Sequence, residues 1–90
     1  PFGWVVERGL LAPGTVLHGS RKHHRAKVRA DGTLVTSDAT GSIHRVGALV
    51  QGLDACNGWT FWQFELPGGG YAPIDTLRQR LRAELATELA

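Results

Sequence analysis

Methionine is absent from this chain, and cysteine occurs once, at Cys56. A disulfide framework within the chain is therefore excluded, and a reducing intracellular compartment fits such usage. As a nucleophile Cys56 would need a base and an orienting group, which the sequence does not point to. It reads instead as a small hydrophobe, buried or half-buried. No apolar run approaches the roughly 18 residues of a membrane span. The opening Pro1-Phe2-Gly3-Trp4 has no basic region and no cleavable signal pattern. Without an initiator methionine, the chain is expected to be a piece of a longer protein. Catalytic patterns are lacking too. His18, His23, His24 and His44 do not fall at zinc spacings and have one cysteine to work with. The Gly68-Gly69-Gly70 run lacks the Lys-Ser/Thr of a P-loop, and no GxSxG elbow occurs. These residues do not describe an enzyme.

What is present fits one small domain over residues 1–90. Hydrophobic residues make up 42% of the chain, which is ordinary for a globular domain with a single core. The overall charge of +2 hides an asymmetry. Residues 18–45 carry Arg21, Lys22, Arg25, Lys27, Arg29 and Arg45 against Asp31 and Asp38, and the remainder is net acidic. A polyanion is the natural partner of such a patch. A solvated strand face is the plainer alternative.

The elements follow from pattern. Phe2, Val5, Val6 and Leu10 share one side of a short helix that Gly9 can stop. Pro13-Gly14 makes a turn, residues 15–18 a short strand, and residues 19–24 a basic loop. Arg25, Lys27 and Arg29 then alternate with Ala26, Val28 and Ala30. Asp31-Gly32 reads as a two-residue hairpin turn, and residues 33–36 return. The three cations form a row with about 7 Å between neighbours, near the spacing of successive phosphates on one strand. After Pro67 and the three glycines, Pro73 suits the first turn of a last helix. Ile74, Leu77, Leu81, Leu85 and Leu89 make its apolar stripe, and Arg80 and Glu84 an i,i+4 pair.

Residues 40–64 are the centre of the chain. Thr40 or Ser42 can cap a helix in which Ile43, Val46, Gly47 and Val50 face one way. His44, Arg45 and Gln51 face away, and Gly52 ends it. Asn57-Gly58 reads as a turn, followed by a strand from Trp59 to Leu66. Alternation groups Trp62, Phe64 and Leu66 as the core side and leaves Trp59 on the more polar side. There Trp59 is either a lid on the core edge or a stacking residue for a flat partner. The expected fold class is α+β, a small antiparallel sheet of about four strands with about three helices on one side. The expected order is αβββαβα.

Several blocks together carry a resemblance. They are RGLLAPGTVL (residues 8–17), AKVRADGTL (26–34), GSIHRVGA (41–48), CNGWTFW (56–62) and IDTLR (74–78). In this order and spacing they resemble the C-terminal domain of CcrM-like, cell-cycle-regulated adenine-N6 DNA methyltransferases. The wider class is the restriction-enzyme adenine-methylase-associated (RAMA) domain. The match covers nearly the whole chain; residues 19–24 depart most. The resemblance implies a bacterial, cytoplasmic, nucleoid-associated parent that methylates adenine in GANTC with S-adenosylmethionine. It implies that this domain contacts double-stranded DNA beside the catalytic domain of the same chain, with a second subunit as a further candidate partner. The DPPY and FxGxG motifs are missing, so no catalytic, cofactor-binding or metal-binding residue is expected here. The family's functional positions fall on Ser42, Asn57 and Trp59. His44 and Arg45 adjoin them, and the remaining candidate contacts are Arg25, Lys27, Arg29, Arg21 and Lys22. The rival reading is a protein-interaction or dimerisation module with weak nonspecific DNA affinity.

Overall fold

Helix α1 (Phe2–Glu7) opens the computed structural model, which describes residues 1–89. It buries Phe2, Val5 and Val6 and stops before Gly9, as its spacing predicts. Strands β1 (Val16–Gly19), β2 (Arg25–Val28), β3 (Leu34–Val35) and β4 (Thr40–Gly41) follow. Then come α2 (Ile43–Gln51), α3 (Gly58–Phe61), β5 (Trp62–Glu65), β6 (Tyr71–Pro73) and α4 (Asp75–Leu89). The fold is α+β with one antiparallel sheet in the order β4-β3-β2-β1-β5-β6.

Among the described residues, six strands and four helices replace the expected four or so and three or so, and each addition has a local cause. Strand β4 is two residues long, too short to show any alternation, and pairs with β3. Strand β6 ends on Pro73, which pattern assigns to the last helix. An edge strand tolerates a residue that cannot donate, and α4 starts two residues later. Helix α3 replaces the first half of the expected aromatic strand, because Asn57 caps it. The Asn57 side-chain oxygen accepts from the Trp59 N–H at 3.1 Å. The hairpin is also one residue wider than expected. Gly32 N–H donates to the Arg29 carbonyl and Arg29 N–H to the Thr33 carbonyl, so Ala30, Asp31 and Gly32 form the loop. Gly32 takes φ +85° as its third residue, the usual geometry of a three-residue hairpin.

Register decides what faces where. Leu17 pairs with Ala26, Val28 with Leu34 and Gly19 with Trp62, so these line one face of the sheet. They are buried with Val5, Ile43, Val46, Ile74, Leu77 and Leu81, which places the helices over that face. On the other face Arg25 pairs with His18, which also pairs with Gln63, and Lys27 lies between Val16 and Val35. Trp62 is fully buried, Phe64 half-buried and Leu66 exposed, so the expected core side of that strand fades toward its end. On α4 the stripe holds through Leu81, with Leu85 half-buried, but Leu89 is 88% exposed. Arg78 pairs with Asp75 at 2.5 Å, and Arg8 with Glu88 at 2.6 Å, in place of the expected Arg80–Glu84 contact. Among the described residues, no helix is long and apolar enough to cross a membrane.

Candidate nucleic-acid interface

The segments 41–48 and 56–62 lock together, and glycine makes this possible. A Cβ on Gly58 would lie 2.5 Å from the backbone of Ile43, and one on Gly47 would lie 2.8 Å from Cys56 Sγ. The Trp62 indole N–H donates to the Ile43 carbonyl at 3.0 Å and ties β5 to the same turn. Two helix starts are thus held side by side. Ser42 caps α2, its hydroxyl oxygen accepting from Arg45 N–H at 3.1 Å. Asn57 caps α3. The Gly58 N–H donates to His44 Nδ1 at 2.9 Å, so an imidazole on α2 supplies the acceptor for the first amide of α3.

Both caps are exposed and both keep hydrogen-bond donors in hand. The Ser42 oxygen is spent as an acceptor, but its O–H is not. The Asn57 carbonyl oxygen is spent, but its NH2 is not. The cap reading of Ser42 is realised in the fold, while Asn57, expected as a turn residue, caps α3 instead.

Ser42 and His44 stand on the wall of a cleft of about 530 Å3. The hairpin tip, Asp31 to Thr33, forms a second wall, and α1 a third through Phe2 and Trp4. Helix α4 closes it with Arg78, Leu81 and Arg82. Trp59 reaches the cleft but is only 7% exposed. Its ring meets Phe2 edge-on at 5.9 Å, and the Arg78 guanidinium lies 4.5 Å above it. The polar-side placement of Trp59 is therefore corrected: as a residue of α3 it turns into the core, and the lid geometry is the one present. Thr33 donates its hydroxyl (2.6 Å) and its N–H (2.9 Å) to the Asp31 carboxylate and holds that group below the ordinary carboxylate range. The hairpin wall thus carries a fixed negative charge, while the α4 wall carries cations.

The basic row lies elsewhere. Arg25 and Lys27 are exposed on the open face of the sheet, opposite the helices. Arg29, past the end of β2, leads into the hairpin tip that walls the cleft. Lys22 sits 4.2 Å over the Tyr71 ring, which also takes the edge of His18 at 5.2 Å, and Arg21 is exposed beside it. Among the described residues no group of His, Cys, Asp or Glu is placed to hold a metal ion. Cys56 is half-buried, with the Gln51 amide donating to its sulfur at 3.4 Å.

Arg78 and Arg82 lie outside the net-positive third of the chain, so charge density does not single them out. Their i,i+4 spacing on the last helix put both on one face and was the available signal. With its two glycine-dependent blocks interlocked and its cap residues on one edge, the chain matches a family model over residues 1–87. It belongs to the family of Restriction Enzyme Adenine Methylase Associated (RAMA) domains.

Proposed function

We propose that this domain binds double-stranded DNA on behalf of an adenine-N6 methyltransferase of the CcrM-like kind that methylates GANTC, and that the duplex docks on the edge made by Ser42, His44 and Asn57. One observation carries this reading: two exposed helix caps, fixed side by side, each with an unused donor. At Ser42 the hydroxyl and the first amides of α2 favour a phosphate. The Asn57 amide donates to a second backbone oxygen or to an adenine edge. Arg45 beside Ser42, and Arg82 on the cleft wall, add charge that neutralises phosphate without reading sequence. Trp59 serves as the floor that positions Arg78. Stacking on a base displaced from the duplex requires it to leave the core first.

In this reading Arg25, Lys27, Arg21 and Lys22 attract DNA from the open face without sequence preference. A duplex is stiff over this length scale, so it does not lie on the edge and on the opposite face together. The catalytic domain of the same chain supplies S-adenosylmethionine binding and methyl transfer, and the domain alone performs neither. The reading is tested by titrating the domain with GANTC and scrambled duplexes at two salt concentrations. Tighter binding to GANTC with a steep salt dependence is expected; salt-insensitive or absent binding contradicts it. A second reading, a docking module for another domain or subunit, draws on Leu49 and Leu53, both about half exposed on and just after α2. It predicts concentration-dependent association without DNA.

A further inference from the structure

We infer that His44 is the positioning residue of the cap edge and works there as a neutral ring, so that adding a proton to it releases DNA instead of tightening the grip. The inference deepens the DNA-binding reading above and rests on it for the part that concerns DNA. A histidine in a basic stretch ordinarily suggests the reverse, since a charged imidazole adds one more cation for phosphate.

The geometry argues otherwise. The Gly58 backbone amide is only ever a donor, and it points at Nδ1 of His44 at 2.9 Å. A ring nitrogen that accepts carries no proton, so the remaining hydrogen is on Nε2. Gly58 N–H is one of the first amides of α3, which have no partner within the helix itself. It is also part-buried against α2, packed so closely on Ile43 that even a methyl group has no room. The amide therefore cannot swing away to find another acceptor. A proton on Nδ1 sets N–H against N–H, so the exposed His44 ring has to turn away and the Gly58 amide loses its acceptor. Asn57 immediately precedes Gly58, and Ser42 lies two residues before His44, so this contact is a polar tie between the two caps, beside the Gly58–Ile43 packing and the Trp62–Ile43 hydrogen bond.

The surroundings do not replace the lost acceptor. The cleft side brings Arg78 and Arg82 from α4 and Asp31 from the hairpin tip. The groove on the other side brings Arg45 from α2 itself, and Asp54 and Cys56 from the connection to α3. Among the described residues, helices α1 and α3 bring no ionisable side chain to the ring, and the Pro1 amine, which lines the same cleft, is common to all the proteins compared below.

Two variants separate this role from plain charge and plain structure. In His44→Asn the amide oxygen stands near the place of Nδ1 and accepts at any pH; in His44→Ala no acceptor remains. Duplex affinity of wild type, His44→Asn and His44→Ala is measured at a series of pH values from about 8 to about 5.5. His18, His23 and His24 are common to all three proteins and cancel in the comparison. At about pH 8 the Asn variant is expected to bind like wild type, and the Ala variant on the order of five- to tenfold more weakly, as for loss of one buried hydrogen bond. On acidification wild type is expected to fall toward the Ala variant, while the Asn variant does not. Wild type and Asn variant gaining affinity in parallel, or an Ala variant equal to wild type at about pH 8, overturns the inference. A second readout needs no DNA: nitrogen-15 spectra of the His44 ring and the Gly58 amide through the same titration. An Nδ1 without a proton at the upper pH, and a Gly58 amide that shifts as the ring titrates, support the link. A Gly58 amide indifferent to the ring overturns it. If none of the three proteins binds DNA, the docking proposal fails while the spectra still decide the role of His44.

Discussion

The cap edge and the open face of the sheet both suit a polyanion, and they are built in opposite ways. On the open face Arg25 and Lys27 stand out from a strand whose alternate residues are buried. Among the described residues neither has an ion-pair partner, and their long side chains keep their freedom until a ligand arrives. At the edge, Ser42, His44 and Asn57 are already committed: each makes a hydrogen bond within the fold and is fixed by it. The first surface supplies attraction at long range, which salt screens. The second supplies donors at set positions, which cost little further ordering on binding. Charge density alone singles out the first, whereas geometry favours the second.

The largest test of this contrast is Trp59→Ala. Removing a large aromatic that packs on Phe2 and carries Arg78 is expected to cost about 3–5 kcal/mol, a large share of the roughly 5–15 kcal/mol of an ordinary domain. Chemical denaturation checks it. A near-normal stability with lost DNA binding would mean that the ring works outside the core, and the edge would need redrawing around it.

Next in size is an exchange that keeps both caps and reverses their charge. Aspartate caps a helix as well as serine or asparagine does. Ser42→Asp with Asn57→Asp is therefore expected to melt within a few degrees of wild type yet bind duplex more than about tenfold more weakly, because carboxylates then face phosphates. Undiminished binding in the double variant would remove the edge from the interface.

A smaller effect is expected on the other side of the sheet. With Arg25, Lys27 and Arg29 all changed to alanine, the log–log salt slope of binding should change by less than about one unit. Three cations in direct phosphate contact would instead remove two to three units. A drop of that size moves the duplex to the open face.

How much of this contrast the sequence carried depends on the kind of signal. The open face was readable from alternation, since Arg25, Ala26, Lys27 and Val28 fall out, in, out, in as the pattern requires. Helix α2 and its Ser42 cap were readable from apolar spacing and a capping residue. Strand β4, the three-residue hairpin loop and β6 were not, because two or three residues with backbone pairing leave no period to detect. Helix α3 was misread because Asn57-Gly58 serves equally as a turn and as a cap followed by a close approach. Only the proximity of Ile43 shows that Gly58 answers a steric demand and not a positive φ. The facing of Arg78 onto Trp59 and of His44 onto Gly58 joins residues 14 or more apart, and a single sequence holds no signal for such pairs.

The smallest expected effect concerns the hairpin wall. Thr33 stabilises the charged form of Asp31, so the folded protein holds this carboxyl at a lower pKa than the unfolded chain does. The contribution is present above the ordinary carboxylate value and is lost as pH falls through the lowered one. Melting temperatures of wild type and Asp31→Ala should differ slightly at neutral pH and converge well below about pH 4. A difference that persists in strong acid would place the role of Asp31 in something other than its charge.

The most direct measurement is a map of backbone amide shifts in the nitrogen-15-labelled domain as duplex DNA is added. Docking on the cap edge predicts that the amides of residues 42–45 and 57–60 move first and furthest, with those of Arg78 and Arg82, while residues 25–28 stay near their free positions. Shifts concentrated on residues 25–28 and on the Lys22–Tyr71 contact, with the two caps unmoved, would contradict it.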